Sequence, residues 1–177
     1  MKFAAALLLA AAPVLTHAQN QWVLTGSTVT WHVTHPMHEV AGTSHGAKGK
    51  GNCAAGQCAF LVAVPLNTFD SGDSNRDLHM LQVTRGAQFP MVVVRTRVPQ
   101  AELSSPVLNL DLQIQFSGQT ADYKQVRFER VTQGNEVRIT GTIPGTLSDF
   151  KIQPPTLLTM LIKNEMPVHV DLTWRPQ

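Results

Sequence analysis

Charge is scarce in this chain: only 15% of its 177 residues are Asp, Glu, Lys or Arg, against roughly a quarter in ordinary soluble proteins. The 14 basic and 12 acidic residues leave a formal charge of +2 and form no polybasic block, which speaks against nucleic acid as a partner. Cysteine is scarcer still, with Cys53 and Cys58 alone. Their spacing is not that of a CxxC redox pair, and no third cysteine supports a thiolate metal site. Beyond the N-terminal segment no run approaches the ~18 consecutive apolar residues of a membrane span. There is no GxSxG elbow, and no carboxylate pair is marked out, so the sequence does not read as an enzyme. Repeats, low-complexity tracts and interdomain linkers are also missing, which leaves one domain.

What is present begins with an export signal. Lys2 supplies a short positive start, an apolar run follows over residues 3–15, and Thr16-His17-Ala18 places small residues at the cleavage-reading positions. Residues 1–18 therefore read as a signal peptide cleaved near Ala18, and residues 19–177 as the mature domain. No cysteine stands at the cleavage point, so neither a lipid anchor nor any other stable membrane anchor is expected. In an oxidising compartment such as the periplasm, Cys53 and Cys58 most simply pair as a clip on a hairpin tip, contributing roughly 2 kcal/mol through closure of so small a loop.

Twelve glycines and eleven prolines, scattered along the chain, suit short elements joined by turns. The dominant pattern is period-two alternation. Over residues 28–35 Val29, Trp31 and Val33 are apolar between threonines and histidines. Over 108–116 the even positions Leu108, Leu110, Leu112, Ile114 and Phe116 are apolar. Val137, Ile139 and Ile143 alternate in the same way, as do Val168, Val170, Leu172 and Trp174. Each segment reads as a strand with one wet face. Residues 60–66, apolar on both faces, and 91–98 add two more strands, and a helix over roughly 76–87, capped by Ser74 or Asn75, is the candidate cover for the outer face of the first. Residues 147–166 fit either a turn of helix or a strand around Pro154-Pro155. Antiparallel strands in this number close economically as a sandwich or as a barrel, and pattern alone does not choose.

The run LNTFDSGDSNRDLHMLQ from Leu66 to Gln82, followed by QFPMVVV from Gln88, closely resembles the signature of the YceI-like family of exported lipocalin-like proteins. VTWHVTHP at Val29, QIQFSGQT at Gln113 and SDFKI at Ser148 fit the same family, although Lys151 stands where a glycine is usual. The resemblance implies a lipocalin-like antiparallel β-barrel of about eight strands with one short helix packed against it. It also implies an apolar channel holding a polyisoprenoid, an isoprenoid quinone or a comparable long-chain amphiphilic lipid, which the protein binds, sequesters or transports in the periplasm, with no cofactor.

On this reading Val29, Trp31, Val33, Leu110, Leu112, Ile114, Phe116, Val137, Ile139, Val168, Val170 and Leu172 line the channel, with His35, Arg76 and His79 near a head group. The alternative is a metal-binding or redox accessory protein in which His35, His38 and His79 converge. Hydrogen bonds from these imidazoles to loop carbonyls explain them at lower cost, so no metal site is assigned. Asp70, Asp73, Asn75 and Asp77 offer oxygens in the manner of a calcium loop, yet lack its glycine and distant glutamate; Asx-turns and a capped helix account for them. Arg76 is read as bonded to Asp70 or Asp73 in the loop, or as holding a ligand oxygen. His32 and His169 fall on the wet face. A homodimer is compatible with the sequence.

Overall fold

The structure is a computed structural model that describes residues 20–35, 38–154, 156–157 and 160–177. The expected signal peptide and its cleavage point lie outside these residues. In chain order the elements are β1 (Asn20–His35), β2 (His38–Ser44), β3 (Lys48–Ala54), β4 (Gln57–Pro65), α1 (Ser74–Val83), β5 (Met91–Pro99), β6 (Val107–Phe116), β7 (Gln119–Gln133), β8 (Glu136–Thr146), β9 (Thr156–Leu157), β10 (Met160–Leu161) and β11 (Glu165–Pro176).

Eight of these strands close into an antiparallel barrel. The order is β1-β3-β4-β5-β6-β7-β8-β11, and β11 returns to β1 through a register running from Trp22 opposite Pro176 to Trp31 opposite Val168. β1 is long enough to serve two neighbours on its other edge: Asn20 to Val23 pair with β3, and Val29 to His35 pair with β2. Closure leaves no free edge around the ring, which is how an all-β chain protects its backbone donors. The interior is a large apolar cluster contributed by the inward residues of every strand of the ring except β3.

Two bulges reset that alternation. In β1 the register shifts between Leu24 and Gly26, so the inward side passes from Trp22 and Leu24 to Val29, Trp31 and Val33. In β7 the ladder with β6 shifts between Leu110 and Leu112, Gln125 takes a φ of 53°, and the inward residues pass from Ala121 and Tyr123 to Val126 and Phe128. The Asp111 carboxylate holds this second bulge, accepting from the Gln125 amide at 2.9 Å and from Lys124 Nζ at 3.0 Å. These bonds, the backbone one first, keep the Asp111 carboxyl below the usual carboxylate range.

The sequence expectations for six strands hold to within a few residues, except that β1 starts well before residue 28. Three strands, β2, β3 and β7, are not marked out by alternation, although the hairpin tip expected at Cys53 and Cys58 falls between β3 and β4. In β3 the inward positions are Gly49, Gly51 and Cys53, so the alternation exists in burial but not in hydrophobicity. The glycines are there because large rings from other strands occupy the space: a Cβ on Gly51 would sit 2.4 Å from the Phe60 ring, and one on Gly49 would sit 2.7 Å from Trp174.

The helix corrects two expectations. It spans Ser74–Val83, and its N-cap is Asp73, whose side chain accepts from the amides of Asn75 and Arg76. Nor does it cover the outer face of β4, where Leu61 remains 40% exposed. It lies across one end of the barrel, where Arg76, His79, Met80 and Val83 line the cavity. Residues 147–166, open between helix and strand, contain a short 3-10 turn at Ser148–Phe150 and the β9–β10 pair. That turn seats Phe150 against Phe116, ring centroids 5.2 Å apart, at the same end as α1. The opposite end carries the β3–β4 hairpin, where Cys53 and Cys58 stand directly opposite one another and are disulfide-bonded. The pair packs with Val98, Trp22, Phe60 and Leu103 as a small second cluster.

Candidate functional site

Inside the barrel runs a cavity of about 680 Å³, within the range that holds small organic ligands. Every strand of the ring apart from β3 contributes side chains to it, and nearly all of them are aliphatic or aromatic. The structure brings together, on this one wall, all twelve residues that alternation assigns to the channel: Val29, Trp31 and Val33 of β1, Leu110, Leu112, Ile114 and Phe116 of β6, Val137 and Ile139 of β8, and Val168, Val170 and Leu172 of β11. Facing pairs in the ladders explain how they meet, since Val29 lies opposite Val170 and Trp31 opposite Val168, while Leu172 lies opposite Ile139.

Sequence reasoning leaves out about two-thirds of the lining. Val92 and Val94 carry the same alternation and are missed only as channel residues. Phe60, Val62 and Val64 sit in the strand that is apolar on both faces, where pattern cannot say which side is inner. Tyr123 and Phe128 are hidden by the β7 bulge, and Leu147, Phe150 and Ile152 come from the closing turn.

Polar groups gather at the two ends. At the helix end Asp73, Asn75, Arg76 and His79 line the cavity. Arg76 does not form the ion pair expected with Asp70 or Asp73; its Nε donates to Ser71 Oγ at 3.1 Å, and that hydroxyl donates to Asp77 Oδ1 at 2.6 Å. Asp70 accepts from the Gly72 amide at 2.7 Å. The loop carboxylates are thus taken up by their own backbone and by the helix cap, as Asx-type chemistry expects. The amides of Arg76 and Asn75 hold the Asp73 carboxyl below its ordinary range.

Across the same end, Tyr123 Oη donates to Asp149 Oδ2 at 2.6 Å. Burial, reinforced by that carboxylate, pushes the Tyr123 phenol well above its usual value. Burial alone would raise Asp149, but the bonds from Tyr123 and Thr146 outweigh it and hold the carboxyl low.

The described histidine side chains are scattered. His79 lines the helix end of the cavity with its side chain exposed, and the side chains of His35 and His38, which the alternative metal-binding reading requires, lie outside the described residues. No group of three or more His, Cys, Asp or Glu positioned for a metal occurs among the described residues. His45 is pinned to β1, its Nδ1 3.2 Å from Thr28 Oγ1 and 3.1 Å from the Ser27 carbonyl. On the outer wall His32 and His169 pack edge to face at 5.0 Å, as their wet-face positions require.

A closed eight-stranded ring with one helix across its end and an apolar interior is matched by a family model over residues 22–174, described as a YceI-like domain. The chain belongs to the YceI-like family. Two solved structures are similar to this YceI-like domain. A polyisoprenoid binding domain from Saccharophagus degradans implicated in plant cell wall breakdown superposes with a TM-score of 0.72 at 12% identity, covering 88% of this chain and 98% of that one. Burkholderia cenocepacia BcnA superposes with a TM-score of 0.69 at 14% identity, covering 83% and 95%. At these identities the likeness establishes the barrel and leaves the ligand open. Among curated proteins none matches the chain. Lys151 of the SDFKI motif has a φ of 54° and a ψ of 30°, a left-handed conformation that glycine adopts without steric cost.

Proposed function

We propose that this protein binds a long-chain amphiphilic lipid, a polyisoprenoid or isoprenoid quinone, in the barrel channel, and sequesters or carries it in the periplasm. The observation that carries the reading is the apolar cavity enclosed by the barrel wall. Side chains that line a cavity of this size make fewer dispersion contacts than those of a packed core, and an apolar tail lying along them supplies those contacts. The name of the Saccharophagus degradans domain supports the same ligand class.

Val29, Trp31, Val33, Leu110, Leu112, Ile114, Phe116, Val137, Ile139, Val168, Val170 and Leu172 hold the tail, and Arg76 and His79 form a polar collar at the helix end. Burying about ten methylene groups yields roughly 8 kcal/mol of gross transfer free energy, the scale of micromolar affinity before the cost of immobilising a flexible chain. The role is binding rather than catalysis. Solvent extraction of protein purified from its native compartment, followed by mass spectrometry, tests this. An isoprenoid lipid near one per chain is expected; a barrel that yields no lipid and takes up none on incubation with menaquinone-4 overturns the reading.

A further inference from the structure

The two ends of the channel differ in charge. At the helix end Arg76 is opposed by the ionised Asp73, which lines the cavity with it, and its guanidinium is engaged by Ser71. At the opposite end, where the β3–β4 and β7–β8 turns lie, Arg130 continues the inward side of β7 after Val126 and Phe128 and lines the cavity. Its guanidinium donates to Thr132 Oγ1 at 3.0 Å, and no carboxylate lies within 4 Å of it among the described residues. The acidic neighbours are turned elsewhere: Glu129 is 3.9 Å from Arg127 on the outer wall, and Glu136 accepts from Thr25 Oγ1. Trp22, which lines this same end, keeps an indole N–H with no acceptor. Trp31, further along the wall, has an unpartnered indole as well, so what sets this end apart is the cation: Arg130 bonds a neutral hydroxyl and faces no carboxylate among the described residues.

Arg130 is partly exposed, so its guanidinium is within reach of water. Once an apolar tail displaces that water, the cation loses solvation and its interaction with any nearby anion strengthens as the local dielectric falls. A planar fork of donors is then best satisfied by an oxyanion. We propose that the Arg130 end is a subsite for the anionic head group, a phosphate or carboxylate, of the amphiphile whose tail runs through the channel toward α1. This rests on the amphiphile-binding reading, adds to it the charge and the direction of the ligand, and moves the head group from the helix end, where the sequence places it beside Arg76 and His79, to the opposite end.

The test compares two probes with one tail, geranylgeranyl monophosphate and geranylgeraniol, by quenching of the tryptophans that line the channel, Trp22, Trp31 and Trp174. The wild-type chain is expected to bind the phosphate at least about tenfold more tightly, the scale of one hydrogen bond to a charged group. Arg130→Gln should abolish that preference while geranylgeraniol binding persists, and Arg127→Gln, the same charge removed from the outer wall, should keep it. Equal wild-type affinities, a measurement that needs no variant to fold, overturn the proposal, as does a preference that survives in Arg130→Gln or is lost only in Arg76→Gln. Binding of neither probe defeats the amphiphile reading itself, which separates the two failures.

Discussion

Asp149 shows how much a single carboxylate contributes at the helix end. It accepts from Tyr123 Oη, and its Oδ2 lies 3.2 Å from the Thr146 amide, tying the closing turn with Phe150 to the wall. Because its folded pKa is depressed, its stabilisation is present above the unfolded carboxylate pKa near 4 and is lost as pH falls through the lower, folded value. Asp149→Asn should therefore melt below wild type at pH 7, with the gap narrowing at pH 3, as calorimetry at the two pH values would register. Inner and outer positions of one strand provide a second test. Ile114 is buried and lines the cavity, while Gln115 beside it faces solvent. Ile114→Asp should abolish lipid retention, since an unpaired carboxylate in an apolar channel costs several kcal/mol. Gln115→Asp should leave retention unchanged, and equal damage from both in folded protein would contradict the inner-face assignment.

At the scale of elements, turns carry the information that alternation lacks. Ser117 and Gly118, with φ of 50° and 75°, join β6 to β7 as a two-residue hairpin, and Ala55 and Gly56 do the same for β3 and β4. Lys151 adopts the left-handed conformation at a cost that glycine would not bear. Lys151→Gly is expected to raise stability by about 0.5–1 kcal/mol, read as a shift in the denaturation midpoint at unchanged slope. The disulfide acts on the opposite end. Cys58→Ala, which removes the β3–β4 clip, should cost about 2 kcal/mol, and the loss should match that of wild type under reducing conditions. β4 illustrates the limit of reading elements singly: apolar on both sides, it gives no clue that Phe60 and Val62 point inward while Leu61 stays in solvent.

The whole molecule is a ring that exists only because β11 returns to β1, a contact between residues separated by most of the chain. If residues 1–18 are an export signal, intact-mass measurement of protein from the periplasm should find a chain beginning at Gln19 with no free thiol; a mass that includes those residues would remove the export reading. The sequence by itself determined the strand character of β1, β4, β5, β6, β8 and β11, the inner residues of four of them, the pairing of its two cysteines and, through the Leu66 to Gln82 run, the family. These are local properties: a period of two, a capping segment, a spacing. Tertiary structure alone decided where β3 and β7 lie, which way α1 faces, and that Arg130 points into the channel. Gly49 and Gly51 look like loop residues until Trp174 and Phe60 arrive from other strands to fill their space. The bulge at Gln125 exchanges inside for outside partway along β7, and its anchor, Asp111, comes from the neighbouring strand. A strand's face is set by what packs across from it, and that partner is remote in sequence.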